Sequence, residues 1–250
     1  MTHDRTGDAV RYARQIIMPE IGQQGQQTLA NATALIVGVG GLGCPAALYL
    51  ATSGVGNLTL CDFDTVDASN LPRQILFTPA DVGRAKADAA KARLRELNPA
   101  AHVEAVAKRA EPAELAALVV GVDVVLDCTD NFGTRFAVNE ACVAARVPLV
   151  SGAAVRLEGQ LVVFANRGGG PCYRCLYSDE DEWLGDCQGN GVLAPVPGTI
   201  GTLMASEALN VLLGTSEQRF DRLWLWDAKS GYWSSVEIKP DPACPTCGGG

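Results

Sequence analysis

The chain has 250 residues, 48% of them apolar, and a formal net charge of −8. That length and composition suffice for one large α/β core, or one core with an appendage, and exclude a disordered chain. Acidity without a clustered Lys/Arg face speaks against nucleic acid as a partner, and no uninterrupted apolar run approaches a membrane span. The first residues, Met1-Thr2-His3-Asp4-Arg5, lack an apolar signal core, so the expected location is the cytoplasm. Of nine cysteines, Cys44, Cys61, Cys128, Cys142 and Cys187 stand alone, which is no disulfide framework.

Residues 1–8 read as a frayed end and 8–17 as a short amphipathic helix with Arg11 and Arg14 one turn apart. A polar, Gln-rich lead, 22–31, runs into a β-branched strand, Thr33–Val37, which stops on Gly38, Gly40 and Gly43 in GxGxxG spacing. An Ala/Leu-rich helix follows over 44–53, so strand, glycine turn and helix fall in order. Glycines let the backbone approach phosphate oxygens, and the free N–H groups of the helix start point at them. A second strand, 58–62, ends on Asp62, about twenty residues beyond the glycines, where such a fold sets a carboxylate on ribose hydroxyls. The ligand contains adenosine; NAD and ATP both fit this far. The loop 63–74 that follows is dense in acids, Asn and Arg, among them Asp64, Asn70, Arg73 and Gln74, at a strand end where α/β folds keep their chemistry. A helix over 83–97 places Lys86 in its first turn, where a cation opposes the helix dipole unless an anion offsets it. It is either a surface lysine or part of an anion site.

Strand 102–107, helix 113–120, a buried strand from 123 that ends in a polar loop at Asp130 and Asn131, helix 132–146 and strand 148–151 complete a β-α-β alternation. The alternation predicts a doubly wound, mostly parallel Rossmann-like sheet with right-handed crossovers. Beyond Gly152 the segments 160–165, 223–226 and 233–238 alternate as half-exposed strands, the last two joined across 228–231 as a hairpin, so an antiparallel extension is expected. One helix is predicted over 202–213, and 177–197 is a long stretch of acids, Gly and Pro without periodicity. With no repeat or linker, one domain is expected: a helical lead (1–32), a nucleotide core (33–152) and an extension (153–250).

The pairs Cys172/Cys175 and Cys244/Cys247 each have the spacing of one knuckle of a thiolate zinc site. Four such ligands would close the site to water and pin the C-terminal segment to the Cys172 turn. A redox dithiol is the alternative, and the Gly/Pro turns around both pairs favour zinc. Cys187 lies among Gly185, Gly189 and Gly191 and reads equally as a reachable nucleophile or a bystander.

Taken together, the glycine motif, Asp62-x-Asp64, Ser69-Asn70-Leu71-x-Arg73-Gln74, Lys86, Cys128-Thr129-Asp130-Asn131 and the two Cys-x-x-Cys pairs resemble one family, from about Arg11 to Cys247. It is the ThiF/MoeB adenylyltransferases, relatives of ubiquitin-activating enzymes. The resemblance implies a homodimer that uses ATP and magnesium to adenylylate the C-terminal Gly-Gly carboxylate of a small ubiquitin-like sulfur-carrier protein. In its terms Gly38, Gly40, Gly41, Gly43, Asp62, Asp64, Asn70, Gln74 and Asn131 form the nucleotide site. Asp62 takes the ribose, Asn70 and Gln74 position the triphosphate, and Gly41 lets the α-phosphate and the carboxylate approach. Arg73 and Lys86 neutralise the meeting of two anions, and Asp130 holds magnesium. Arg14 acts in the partner subunit's site, 177–197 is a crossover loop over the carrier's tail, and Cys187 is a covalent acceptor in the thiazole branch. Segments 186–188 and 226–233 resemble that branch, so a ThiS-type carrier of thiamine biosynthesis is expected. The small subunit of molybdopterin synthase is the alternative. The chain stops soon after Cys247, short of a rhodanese domain, and a separate sulfur donor of cysteine desulfurase or rhodanese type is implied. An NAD-dependent dehydrogenase would leave Arg73, Lys86 and Asp130 without a task and would find only His3 and His102 for proton transfer. A non-catalytic scaffold would have no use for the same three residues.

Overall fold

The structure is a computed structural model that describes residues 10–178, 191–215 and 220–248. Two helices precede the sheet, α1 (Ala13–Ile16) and α2 (Gly22–Asn31). The helix expected over 8–17 is therefore shorter in its described part, and the polar lead is a helix in its own right. Its glutamines do not mark a loop, because Gln26 is buried and spends its amide on tertiary bonds. The amide accepts from Gln15 Nε2 at 2.7 Å and donates to the carbonyl of Ser53 at 3.0 Å.

The first strand, β1 (Thr33–Val37), sends Ala34 and Ile36 into one buried cluster and Leu35 and Val37 into another on the opposite face. A strand buried on both sides belongs at the centre of a parallel sheet. After α3 (Gly43–Thr52) comes β2 (Asn57–Cys61), parallel to β1. Then follow α4 (Lys86–Leu97), β3 (His102–Val106) beside β2, α5 (Pro112–Val119) and β4 (Val124–Asp127) on the other side of β1. The helix α6 (Phe132–Ala145) leads to β5 (Leu149–Val155), the last parallel partner.

From there the sheet reverses. Strands β6 (Glu158–Phe164), β7 (Arg222–Asp227) and β8 (Tyr232–Glu237) add antiparallel, giving one eight-stranded sheet in the order β3-β2-β1-β4-β5-β6-β7-β8. The strand expected over 148–151 extends to Val155 because its second half pairs with β6, a partner no local pattern announces. A short α7 (Tyr173–Leu176) carries one cysteine pair.

The last helix, α8 (Pro195–Leu213), starts seven residues before the expected 202 and takes the end of the expected 177–197 loop with it. Proline is tolerated in a first helical turn, where its missing N–H is not needed, so Pro195 and Pro197 open this helix and do not break it. Among the described residues it is one helix long and apolar enough to cross a membrane, and it packs against α3, β5 and β6. A Cβ on Gly201 would lie 2.2 Å from the carbonyl oxygen of Leu42, so this glycine lets α8 rest directly on the glycine turn after β1. That contact places the start of α8 at the site.

Candidate active site

The turn between β1 and α3 is closed by backbone contacts. Gly38 has φ +89, and a side chain there would meet the Cys128 carbonyl at 2.8 Å; a Cβ on Gly43 would fall 2.0 Å from the Gly38 oxygen. These two glycines are demanded by packing. At Gly40, by contrast, the nearest atom to a Cβ is Gln74 Nε2 at 3.7 Å, so its surface is open for a ligand. Asp62 locks the turn to β2: its Oδ2 accepts from the Val39 N–H at 2.6 Å and its Oδ1 from the Asp64 N–H at 2.9 Å. Burial pushes the Asp62 carboxyl above the usual range, with the Val39 N–H and the Lys86 charge pulling the other way.

Asp67 accepts from the Ser69 N–H at 2.8 Å and starts a turn that carries Asn70, Arg73 and Gln74 to the site. The Arg73 guanidinium donates to the Ser69 carbonyl at 3.2 Å. Lys86, only 6% exposed, is the first residue of α4, and its Nζ lies 2.8 Å from Asp64 Oδ2. The anion that a lysine at this position calls for is thus Asp64. Gln74 is buried and its Oε1 has no hydrogen-bond partner among the described residues.

These groups share one cleft of about 550 Å³, within the ~300–1,000 Å³ range of small-molecule sites. Gly38, Gly40 and Gly41 form its floor; Asp62, Asp64, Asn70, Arg73, Gln74 and Lys86 form one wall; Asp130 and Asn131 stand on the other. Gly43 lies behind the turn as a packing residue. Asn131 also caps α6 by accepting from the Thr134 N–H at 2.9 Å. Arg14 is exposed on α1 and is not part of the lining in its own chain. Cys187 lies outside the described residues.

Among the cleft residues that sequence reasoning missed are three cations, Lys108, Arg109 and Arg135. Lys108 pairs with Glu114, and the Arg109 guanidinium sits 4.3 Å from the Phe63 ring centre. Their signal was position alone, since Lys108 and Arg109 follow β3 as Asp62 follows β2.

Asp130 also borders a smaller pocket of about 170 Å³ with Phe132, Arg135, Gln160, Tyr173 and Tyr177 in its wall. The Tyr177 hydroxyl donates to Gln160 Oε1 at 2.9 Å, and Tyr173 packs against Phe132, Phe136 and Phe164. Behind this pocket the sulfurs of Cys172, Cys175, Cys244 and Cys247 lie within 4.8 Å of one another. Cys172 and Cys244 are 3.7 Å apart and Cys175 and Cys247 3.4 Å. Four sulfurs about 2.3 Å from a tetrahedral centre would be about 3.8 Å apart, so the quartet has the size of a thiolate metal site.

A model of the ThiF family matches residues 12–246. The chain belongs to the ThiF family. It is 46% identical over 241 residues to the molybdopterin-synthase adenylyltransferase of Escherichia coli K12, covering 96% of this chain and 97% of that one. It is also 46% identical over 242 residues to the sulfur carrier protein ThiS adenylyltransferase of the same organism, covering 97% and 96%. The Drosophila yakuba adenylyltransferase and sulfurtransferase MOCS3 is 44% identical over 243 residues, which span 96% of this chain and 53% of that protein. Among solved structures, E. coli MccB with ATP superposes with a TM-score of 0.82 at 26% identity, covering 95% of this chain and 73% of that one. Its relatives are adenylyltransferases, and the two carrier branches stand at equal identity, so nothing in these comparisons favours the expected thiazole branch over its alternative.

Proposed function

We propose that this chain transfers AMP from ATP to the C-terminal Gly-Gly carboxylate of a ubiquitin-like sulfur-carrier protein and releases pyrophosphate. The observation that carries this reading is a single cleft lined by the glycine turn, Asp62, Arg73 and Lys86, which shares Asp130, Arg135 and Ala154 with an aromatic pocket. Nucleotide and carrier tail would meet at that junction. A carboxylate oxygen of the carrier attacks the α-phosphorus; the new P–O bond forms as the bond to the β-phosphate bridge breaks, and pyrophosphate leaves with the electron pair. Both reactants are anions, so the barrier is electrostatic. Arg73 and the buried Lys86, which is held by Asp64, supply positive charge where negative charge develops as pyrophosphate leaves. No general base is needed, because the attacking carboxylate is already ionised at neutral pH.

The residues fit the groups this chemistry needs. The unpartnered amide oxygen of Gln74 is a cost that a bound nucleotide donor would remove. Asp130 presents an exposed carboxylate with no ion pair among the described residues, a hard oxygen donor suited to magnesium. Magnesium there would neutralise phosphate charge. The cysteine quartet would hold zinc in a closed site that ties the 244–247 turn to α7, a role in folding and not in the reaction. Arg14 would serve the cleft of a second copy in a homodimer, consistent with its exposed place on α1. A separate sulfur donor of cysteine desulfurase or rhodanese type would then act on the adenylylated carrier.

The test is ATP–pyrophosphate exchange with magnesium, using the thiazole-type carrier and the molybdopterin-synthase small subunit, each with and without its last two glycines. Exchange that depends on the Gly-Gly tail is expected, and the faster carrier names the pathway. No exchange with either, together with thermal stabilisation by NAD and none by ATP, would reject the reading.

A further inference from the structure

We propose that Arg135 is a positioning residue for Asp130, and that the segment carrying the first cysteine pair holds Arg135 in place. The inference rests on Asp130 as the magnesium-holding acid of the proposed function.

Arg135 lies one turn into α6 and is 6% exposed. A buried guanidinium is costly unless its donors are satisfied, and this one reaches three separate elements. One terminal nitrogen donates to the carbonyl of Thr129 and to that of Gly152 at 3.1 Å; the other donates to the Tyr173 hydroxyl at 3.3 Å. Thr129 immediately precedes Asp130. Its opposite edge is held by Asp127, whose Oδ1 accepts from the Thr129 N–H at 3.1 Å and from its hydroxyl at 2.7 Å. Asp127 is itself fully buried, with Oδ2 accepting from Ser151 Oγ at 2.9 Å. The residue before Asp130 is therefore gripped on both its N–H and its C=O, while Asp130 itself is exposed and lines the cleft.

The other end of this grip is the Cys172 turn. The Tyr173 N–H donates to Asn139 Oδ1 at 2.9 Å, and Asn139 Nδ2 lies 3.5 Å from Cys172 Sγ. Asn139 and Arg135 are one turn apart on α6, so they share a face. A continuous path of hydrogen bonds thus runs from the sulfur quartet through Asn139, Tyr173 and Arg135 to the Asp130 turn. The planar fork of an arginine can span several fixed acceptors; a lysine ammonium on a flexible stem cannot hold the same geometry.

The experiment is calorimetric binding of ATP with magnesium and with EDTA, on wild type, Asp130→Asn, Arg135→Lys and Tyr173→Phe. Tyr173→Phe keeps the ring and deletes one hydroxyl, so it reports even if Arg135→Lys fails to fold. Magnesium should tighten ATP binding in wild type and do so no longer in Asp130→Asn. The magnesium gain should shrink about tenfold in Arg135→Lys and about threefold in Tyr173→Phe, the scale of one or two lost charge-assisted bonds, with ATP affinity in EDTA unchanged in Tyr173→Phe, whose ring lies outside the nucleotide cleft. An intact magnesium gain in folded Tyr173→Phe and Arg135→Lys, with the gain lost in Asp130→Asn, overturns the positioning role alone. Weaker ATP binding in EDTA together with a lower melting temperature and an intact gain assigns Arg135 to the fold only. A gain that survives in Asp130→Asn removes the magnesium reading, and this inference with it.

Discussion

The two walls of the cleft are built by different means. On the β1–β2 side, close backbone contacts and one carboxylate do the holding: Gly43 closes against the Gly38 carbonyl, and the Val39 and Asp64 N–H groups meet on the Asp62 side chain. On the β5–β6 side, side chains from distant segments do the holding: Arg135 on Thr129 and Gly152, Tyr177 on Gln160, and cysteines brought together across a separation of 72 residues. A turn whose glycines touch backbone directly has little freedom to vary, which in the proposed function suits a ligand that never changes, the nucleotide. A wall held by side chains can be retuned by substitution without disturbing the sheet, which in the proposed function suits the part of the site that meets the carrier.

Gly43→Ala should break the first wall outright. The added methyl has no room beside the Gly38 oxygen, and a loss of at least about 3 kcal/mol in urea unfolding is expected. Gly40→Ala is the contrast, since the space at Gly40 is open: it should fold normally and bind ATP more weakly. Equal stability of the two variants would refute the division between packing glycine and ligand glycine. Lys86→Met should lower exchange about 10²–10³-fold at unchanged fold, the range for removing one preorganised charge at a developing anion. Retained activity would show that the Lys86–Asp64 pair is only structural. For the second wall, Cys172→Ser should cost about 2–3 kcal/mol and make the melting temperature insensitive to chelators, as loss of a structural metal does. If chelators leave the wild-type melting temperature unmoved as well, the quartet is not a metal site. Smallest of all, Tyr177→Phe gives up its bond to Gln160, worth about 1 kcal/mol, and should raise the KM for the carrier while leaving the KM for ATP alone. A change confined to ATP would place the aromatic pocket on the nucleotide side.

The first wall was legible almost residue by residue. Gly38, Gly40, Asp62 and Lys86 stand at strand ends and helix starts, and Asn70, Arg73 and Gln74 follow in the loop after β2, so local pattern alone brings them to one end of the sheet. The second wall was not. Arg135 looked like any charged residue within α6, and no local pattern shows that its guanidinium reaches Gly152 and Tyr173. The Gln-rich segment that became α2 and the proline-led start of α8 misled for a related reason. Gln26 and Pro197 are polar or helix-breaking in isolation, and both are buried in the fold.

The sequence by itself determined the parallel nucleotide half, because glycine stereochemistry, strand periodicity and helix starts act over a few residues and leave their mark locally. It also marked the four sulfurs, through the two-residue spacing within each pair. Only the tertiary structure decided that both pairs come together and that Asp64 is the counterion of Lys86. It also decided that a buried arginine joins the cysteine turn to Asp130. Each of those outcomes depends on a polar group being withdrawn from water, and which groups are withdrawn is settled only when distant segments pack against one another.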